Sequence, residues 1–199
     1  MSDVEAGTAA AQRATIAVAP GRIGGVTRSI HWTTAGLLLC GFGAAWVFTN
    51  IGPGRVAATL VEFHRTIGLS ILGLTGARIV WRMVRPLPPL PSHTPFWEAL
   101  LARGVQVLLY AALIAMPIIG WLGSSANGDD VAFLGLVPLP PLTEPDQDFG
   151  DRVFQVHAAV GYAILALLVL HISGALRHHL LKRDGVLTRM VSGTASGSR

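Results

Sequence analysis

The chain has 199 residues, of which 51% are hydrophobic and only 13% are charged, and its mean hydropathy is +0.54. A soluble domain carries about a quarter charged residues, so this composition indicates an integral membrane protein. In such a protein the formal net charge of +4 reports membrane topology and does not indicate a nucleic-acid partner. The single cysteine, Cys40, excludes a disulfide framework and a thiolate metal cluster.

Four apolar segments predict four transmembrane helices in one domain, residues 26–191. Residues 1–25 contain acidic residues and no long apolar core, so we expect a flexible tail and not a signal peptide. Residues 192–199 are expected to be a flexible C-terminus. The fold class is all-α, an integral membrane four-helix bundle. The predicted spans, in chain order, are 29–49, 62–82, 104–126 and 153–176.

The segments between the spans are rich in residues that favour loops. Segment 83–103 contains a proline-rich stretch and includes His93, and we expect a loop there. Segment 127–152 is rich in proline and acidic residues and is expected to be a long loop. Residues 177–190 are typical of a short basic amphipathic helix at the membrane surface, where His178 and His179 would lie.

The distribution of basic residues predicts the orientation in the membrane. With four spans, both termini and segment 83–103 share one side, which holds all but three of the 15 Lys and Arg residues. The exceptions are Arg55, Arg65 and Arg152. Basic residues accumulate on the cytoplasmic side, so we expect a multi-pass protein of the bacterial cytoplasmic membrane with both termini in the cytoplasm.

Four histidines lie within the predicted spans. His157 and His171 are fourteen residues apart, about four helical turns, so both project from one face of span 4, about 21 Å apart along its axis. Since His31 begins span 1 and His64 begins span 2, the four histidines form two pairs at matched depths. His31 and His171 lie near the cytoplasmic surface, and His64 and His157 lie near the outer surface.

Ionisable residues are costly in hydrocarbon, so this pairing suggests ligands. Two neutral imidazoles from facing helices, one on each side of a planar macrocycle, are how a helical bundle holds b-type haem. The sequence therefore predicts two haems b, with the four histidines as iron ligands. A single histidine near a helix end is also typical of an interfacial residue, and this alternative applies most to His31. Zinc fits less well, because no carboxylate or thiolate joins either pair.

Small and basic residues accompany the histidines. Gly68 and Gly161 each follow an outer histidine by four residues and would give a porphyrin room beside its ligand, although small residues also serve helix packing. Arg78, at inner depth, is expected either to neutralise a haem propionate or to extend to the interface. Arg65 and Arg152 are expected to neutralise propionates at the outer haem.

Three segments resemble the bacterial cytochrome b561 family: SIHW from residue 29, EFHRTIGLSILGLTGARIVWR from residue 62, and VHAAVGYAILALLVLHISGALRHHLLKRDGVLTRM from residue 156. The resemblance covers about residues 26–191. It implies a four-helix bundle enclosing two haems b, with ligands at His31, His64, His157 and His171. It also implies electron exchange with ubiquinone, and at least one small member of the family oxidises periplasmic superoxide.

We therefore expect an oxidoreductase, a dihaem cytochrome b that moves single electrons between a periplasmic donor and membrane ubiquinone. Superoxide is one candidate donor, and as an anion it requires a local basic entry in the acidic outer loop, for which Arg55, Arg65 and Arg152 are the candidates. An alternative is a membrane-anchor subunit that passes electrons between a partner dehydrogenase or hydrogenase and quinone. A third is a haem-binding sensor or carrier without electron-transfer activity.

Overall fold

Four long helices dominate the structure, a computed structural model that describes residues 22–86 and 94–193. All four are long and apolar enough to cross a membrane, which confirms the predicted all-α membrane bundle. The helices are α1 (Gly25–Asn50), α2 (Arg55–Val84), α3 (Phe96–Ala126) and α4 (Gln147–Arg177). Residues 1–21, 87–93 and 194–199, which include most of both expected flexible tails and His93, lie outside the described residues.

The helices extend beyond the predicted spans. The largest difference is at α3, which begins at Phe96 within the segment expected to be a loop. Glu98 lies in its first turn and is buried, and its carboxylate forms ion pairs with Arg177 and Lys182. These cations come from the end of α4 and the turn that follows it, so the buried carboxylate in the first turn of α3 is paired. The helix therefore begins before the apolar segment and ends with it.

Neighbouring helices in the chain are neighbours in space, with α1 packed on α2, α2 on α3, and α3 on α4. The buried core lies between the first three helices, where Ile67, Ile71 and Leu113 pack with Leu37 and Leu38. Within the described residues, α1 and α4 form no comparable backbone packing.

The segment expected to be a long loop between α3 and α4 contains a β-hairpin. Strand β1 (Val131–Phe133) pairs antiparallel with β2 (Val137–Leu139), and β1 packs against α2 and α3. The end of the loop is fixed to α3, since the backbone N–H of Asp146 donates to the Ala126 carbonyl at 2.7 Å. We call this end of the bundle the hairpin end.

The opposite end, where α1 begins and α4 ends, we call the terminal end. Here α4 continues as a π-helical turn (His178–Lys182), and a short helix α5 (Val186–Ser192) follows. The single amphipathic helix predicted over this segment is therefore wrong. Arg183 and Gly185 have left-handed backbone (φ 52° and 75°), which a continuous right-handed helix cannot include. His178 is not a simple surface residue, since it pairs with Asp184 and its side chain is mostly buried, whereas His179 is exposed.

Candidate functional site: two histidine pairs

Helices α1, α2 and α4 bring the four histidines together as two facing pairs. His31 of α1 faces His171 of α4 at the terminal end, with ring centres 6.2 Å apart and ring planes at 60°. His64 of α2 faces His157 of α4 at the hairpin end, with ring centres 6.1 Å apart and planes at 70°. We call these the terminal-side pair and the hairpin-side pair. Helix α4 contributes one member to each, as the fourteen-residue spacing requires.

The spacing within both pairs suits a single metal ion between the rings. An imidazole–metal bond is about 2.0 Å long and a ring nitrogen lies about 1.2 Å from its ring centre, so two imidazoles on opposite sides of one ion have ring centres about 6.3 Å apart. The ring planes can take any angle about the common axis, so angles of 60° and 70° are compatible with such ligation. In the described part of the chain, no group of three His, Cys, Asp or Glu side chains is placed to hold a metal. Each pair supplies two ligands, and an ion there would need its other ligands from a group outside the chain.

A backbone hydrogen bond fixes which ring nitrogen of His64 carries the proton. Its Nδ1 lies 2.9 Å from the carbonyl oxygen of Gly41 on α1. A carbonyl only accepts, so Nδ1 must donate its proton, and the lone pair for a metal is then on Nε2. The contact depends on close approach of the two helices, since a Cβ at Gly41 would lie 3.2 Å from the side chain of Ile67. Glycine at position 41 therefore helps to orient the His64 ring.

Helix α3 supports His157 although it supplies no ligand. A Cβ at Gly120 would lie 3.0 Å from Cε1 and 3.2 Å from Nδ1 of His157, closer than ordinary contacts allow. A Cβ at Gly123 would likewise lie 3.1 Å from the ring of Phe154, which packs edge-on against His157. The buried Nδ1 of His157 has no hydrogen-bond partner within the described residues. Gly120 therefore leaves space for the His157 ring, and Gly123 leaves space for the Phe154 ring beside it.

At the terminal-side pair, the C-terminal helix holds the surroundings of His31. The Trp32 ring lies edge-on to the His31 ring at 5.1 Å, and its Nε1–H donates to the Met190 carbonyl of α5 at 3.0 Å. Arg28 donates from Nη1 to the Val191 carbonyl at 2.8 Å, in the last turn of α5 where a cation is favourable. Helix α5 thus closes the terminal end of the bundle beside His31.

Three buried donors without acceptors lie near the terminal-side pair. The guanidinium groups of Arg78 and Arg82 each lie 5.4 Å from the ring centre of Tyr110, and both act electrostatically on His31. The Nε atoms of both arginines and the hydroxyl of Tyr110 are buried, and none has a hydrogen-bond partner in the described structure. Buried donors are nearly always paired, so this cluster is suited to an anionic group with several oxygen atoms. Arg78 is the residue expected from sequence, and it is accompanied by Arg82 and Tyr110.

The basic residues expected at the hairpin-side pair are placed differently. Arg65 is held by two carboxylates, Glu62 one turn away and Asp129 at the base of the hairpin. Arg152 is exposed near the start of α4. The charge of Arg65 is therefore already compensated, which leaves Arg152 and the exposed Arg55 as the more available cations at this end.

The two glycines expected to make room for a macrocycle lie against other side chains. A Cβ at Gly68 would be in ordinary contact, 3.8 Å, with Pro117 of α3. A Cβ at Gly161, which is buried, would lie 3.2 Å from the end of the Met116 side chain. Both glycines therefore allow close packing against α3, which is the alternative that the sequence left open.

Sequence reasoning missed several of these residues because the third span carries no histidine. Without a ligand, nothing in the sequence sets the rotation of α3, so its glycines and Tyr110 could not be assigned to a site. One signal was present, since Gly120 and Gly123 lie three residues apart and therefore on one helix face. Arg82 follows Arg78 by four residues, which also places both on one face.

Comparison with known proteins identifies the family and several relatives of the chain. A family model described as prokaryotic cytochrome b561 matches residues 22–193. Cytochrome b561 homolog 2 of Escherichia coli K12 is 29% identical over 179 residues, 89% of this chain and 95% of the relative. The probable superoxide oxidase CybB of Yersinia pestis is 27% identical over 163 residues, 81% of this chain and 91% of the relative. Cytochrome b562 of Cereibacter sphaeroides is 30% identical over 171 residues, 82% of this chain and 90% of the relative. The chain belongs to the prokaryotic cytochrome b561 family, and this membership implies b-type haem and electron transfer in a bacterial membrane.

Proposed function

We propose that the chain holds two haems b, one between the rings of each histidine pair, and transfers electrons between membrane ubiquinone and a donor at the hairpin end. The observation that carries the proposal is the ring-centre distance of 6.2 Å and 6.1 Å in the two pairs, against about 6.3 Å for two imidazoles bound to one iron. Haem supplies a metal that changes its charge by one electron at a time.

The chain's own residues have distinct roles in this proposal. The four histidines would hold the two haems, one haem to each pair, and the haems would supply one-electron chemistry. The Gly41 carbonyl fixes the orientation of His64, and Gly120 admits the ring of His157. Arg78, Arg82 and Tyr110 offer buried donors to the carboxylates of the terminal-side haem.

The orientation in the membrane follows from charge. The terminal end carries most of the basic residues, so we place it in the cytoplasm and the hairpin end in the periplasm. A soluble periplasmic donor then meets the hairpin-side pair first. This assigns the terminal-side pair to the cytoplasmic half of the membrane.

Superoxide is the donor that the comparisons favour, because one relative is named a probable superoxide oxidase. In the net reaction, two superoxide anions each lose one electron and leave as oxygen, and one ubiquinone takes up two electrons and two protons to become ubiquinol. Since Arg65 is paired with Glu62 and Asp129, attraction of the anion depends mainly on Arg55 and Arg152. Their effect should decrease as salt rises.

The cofactor count is tested by a pyridine haemochrome assay on the purified protein. We expect about two haems per chain, and about one in each of the variants His31→Ala and His64→Ala. A single haem in the unaltered protein, retained in full by His31→Ala, would remove the terminal-side site.

The electron donor is tested separately, by stopped-flow reduction with superoxide in the purified protein. We expect reduction that slows at high salt and in Arg152→Gln, with full haem content. Absence of reduction, together with co-purification of a dehydrogenase or hydrogenase, would favour the membrane-anchor subunit. Haems that respond to neither superoxide nor ubiquinol would favour the sensor or carrier.

A further inference from the structure

The turn of the β-hairpin presents an apolar surface that the electron-transfer proposal does not use. We call Leu134, Gly135, Leu136 and Val137 the hairpin tip. The three large residues of the tip are highly exposed: Leu134 is 60% exposed, Leu136 79% and Val137 58%. The base of the same hairpin is acidic, with Asp129 and Asp130 both exposed. Apolar and charged residues are thus separated along the hairpin.

A hydrogen bond fixes the depth of the tip relative to α2. The backbone N–H of Leu134 donates to Oγ1 of Thr66 at 3.3 Å. Thr66 is the first residue of the charge-free part of α2, which runs to Ala77. The tip therefore lies level with the beginning of the membrane-spanning segment and not above it in the aqueous phase.

The tip also lies on the face of α2 that points away from the histidine pair. Thr66 follows His64 by two residues, a rotation of about 200° around the helix. Phe63 lies three residues before Thr66, on the same face, and is half exposed. The tip and Phe63 thus continue the outward-facing apolar surface of the bundle, so a cofactor between the histidines would not cover them.

The backbone of the turn favours residues other than leucine. Leu134 and Gly135 have φ of 57° and 66°, a left-handed backbone conformation that glycine, asparagine and aspartate adopt more readily than leucine. A leucine at this position is disfavoured by its Cβ. The free-energy cost of the left-handed backbone at Leu134 is offset if the leucine side chain leaves water for an apolar environment.

We propose that the hairpin tip inserts into the membrane leaflet at the hairpin end, where its leucine and valine side chains contact lipid acyl chains. The ion pair of Asp129 with Arg65, the residue before Thr66, fixes the base of the same hairpin to the hairpin end of α2. The hairpin is then a lateral anchor that fixes the α3–α4 loop to the membrane surface. This inference rests on the membrane bundle alone and is independent of cofactor content.

The test measures the depth of a fluorescent label on the full chain in phosphatidylcholine nanodiscs. Cys40 is first changed to Ser, and one cysteine is then introduced by Leu136→Cys and coupled to an environment-sensitive fluorophore. We expect blue-shifted emission, strong quenching by lipids with a nitroxide on the acyl chain, and loss of quenching by aqueous iodide. If Leu136→Cys does not fold, Val137→Cys carries the same measurement.

The matched control is Glu144→Cys, at an exposed position of the same loop outside the hairpin. Its label should be quenched by iodide and little affected by the nitroxide lipids. Iodide quenching of the tip label equal to that of the control, with no effect of nitroxide lipids, would overturn the proposal. That result would place the tip in water, where its apolar surface would be open to a soluble protein partner.

Discussion

Gly120 provides a sharp test of how α3 supports the hairpin-side pair. In Gly120→Ala the added methyl carbon would lie 3.0 Å from Cε1 of His157. Carbon atoms in favourable contact are about 3.5–4.0 Å apart, so the ring must shift by about 0.5–1.0 Å. Functional geometry is held to about 0.5 Å, and overpacking costs about 1–3 kcal/mol. That free energy corresponds to a loss of haem affinity of about 5-fold to 150-fold at this site.

The assay is a pyridine haemochrome measurement with an optical redox titration of the purified variant. We expect the haem content to fall from about two towards one per chain, with the terminal-side haem retained. The control is Gly73→Ala on α2, because a Cβ there meets nothing within 4 Å and position 73 lies on the opposite helix face from His64. If both variants show the same haem content and titration curve, His157 is not a ligand positioned by its contact with α3.

Four further changes test other parts of the structure. Arg78→Gln should lower the midpoint potential of the terminal-side haem, because a nearby positive charge favours the reduced state. The expected decrease in a redox titration is on the order of 59 mV, a tenfold change in the equilibrium constant of a one-electron couple. Tyr110→Phe, which removes a neutral donor, should give a smaller shift. Glu98→Gln should lower the thermal unfolding temperature in detergent more than Glu62→Gln, because Glu98 is buried between two cations and Glu62 is exposed. A reporter fused after Arg199 should be active in the cytoplasm, and periplasmic activity would reverse the orientation.

The number and type of helices could be predicted because hydropathy and length determine membrane spans. The helix ends could not, since they depend on contacts between distant segments. Helix α3 begins at Phe96 because Glu98 meets Arg177 and Lys182, which are far away in the sequence. The β-hairpin was missed because Leu134 occupies a turn position where glycine or asparagine would have given a signal.

For the site, helical periodicity was sufficient to place the histidines at common depths. The residues around them were harder to assign, because their roles depend on how each helix is rotated. Arg65 has the right depth for a haem propionate, yet its side chain turns to Glu62 and Asp129. Tyr110 lies on a helix without a ligand, and only the packing of α3 against α2 brings it to Arg78.

The sharing of α4 between both pairs restricts how the gene for such a protein can change. Insertion of one residue between His157 and His171 would rotate one imidazole by about 100° relative to the other, and one pair would be lost. Insertion of seven residues, close to two full turns, would restore the common face but lengthen the spacing by about 10 Å. We therefore expect the loops of homologous chains to vary freely in length, while the segment between these two histidines tolerates neither insertion nor deletion.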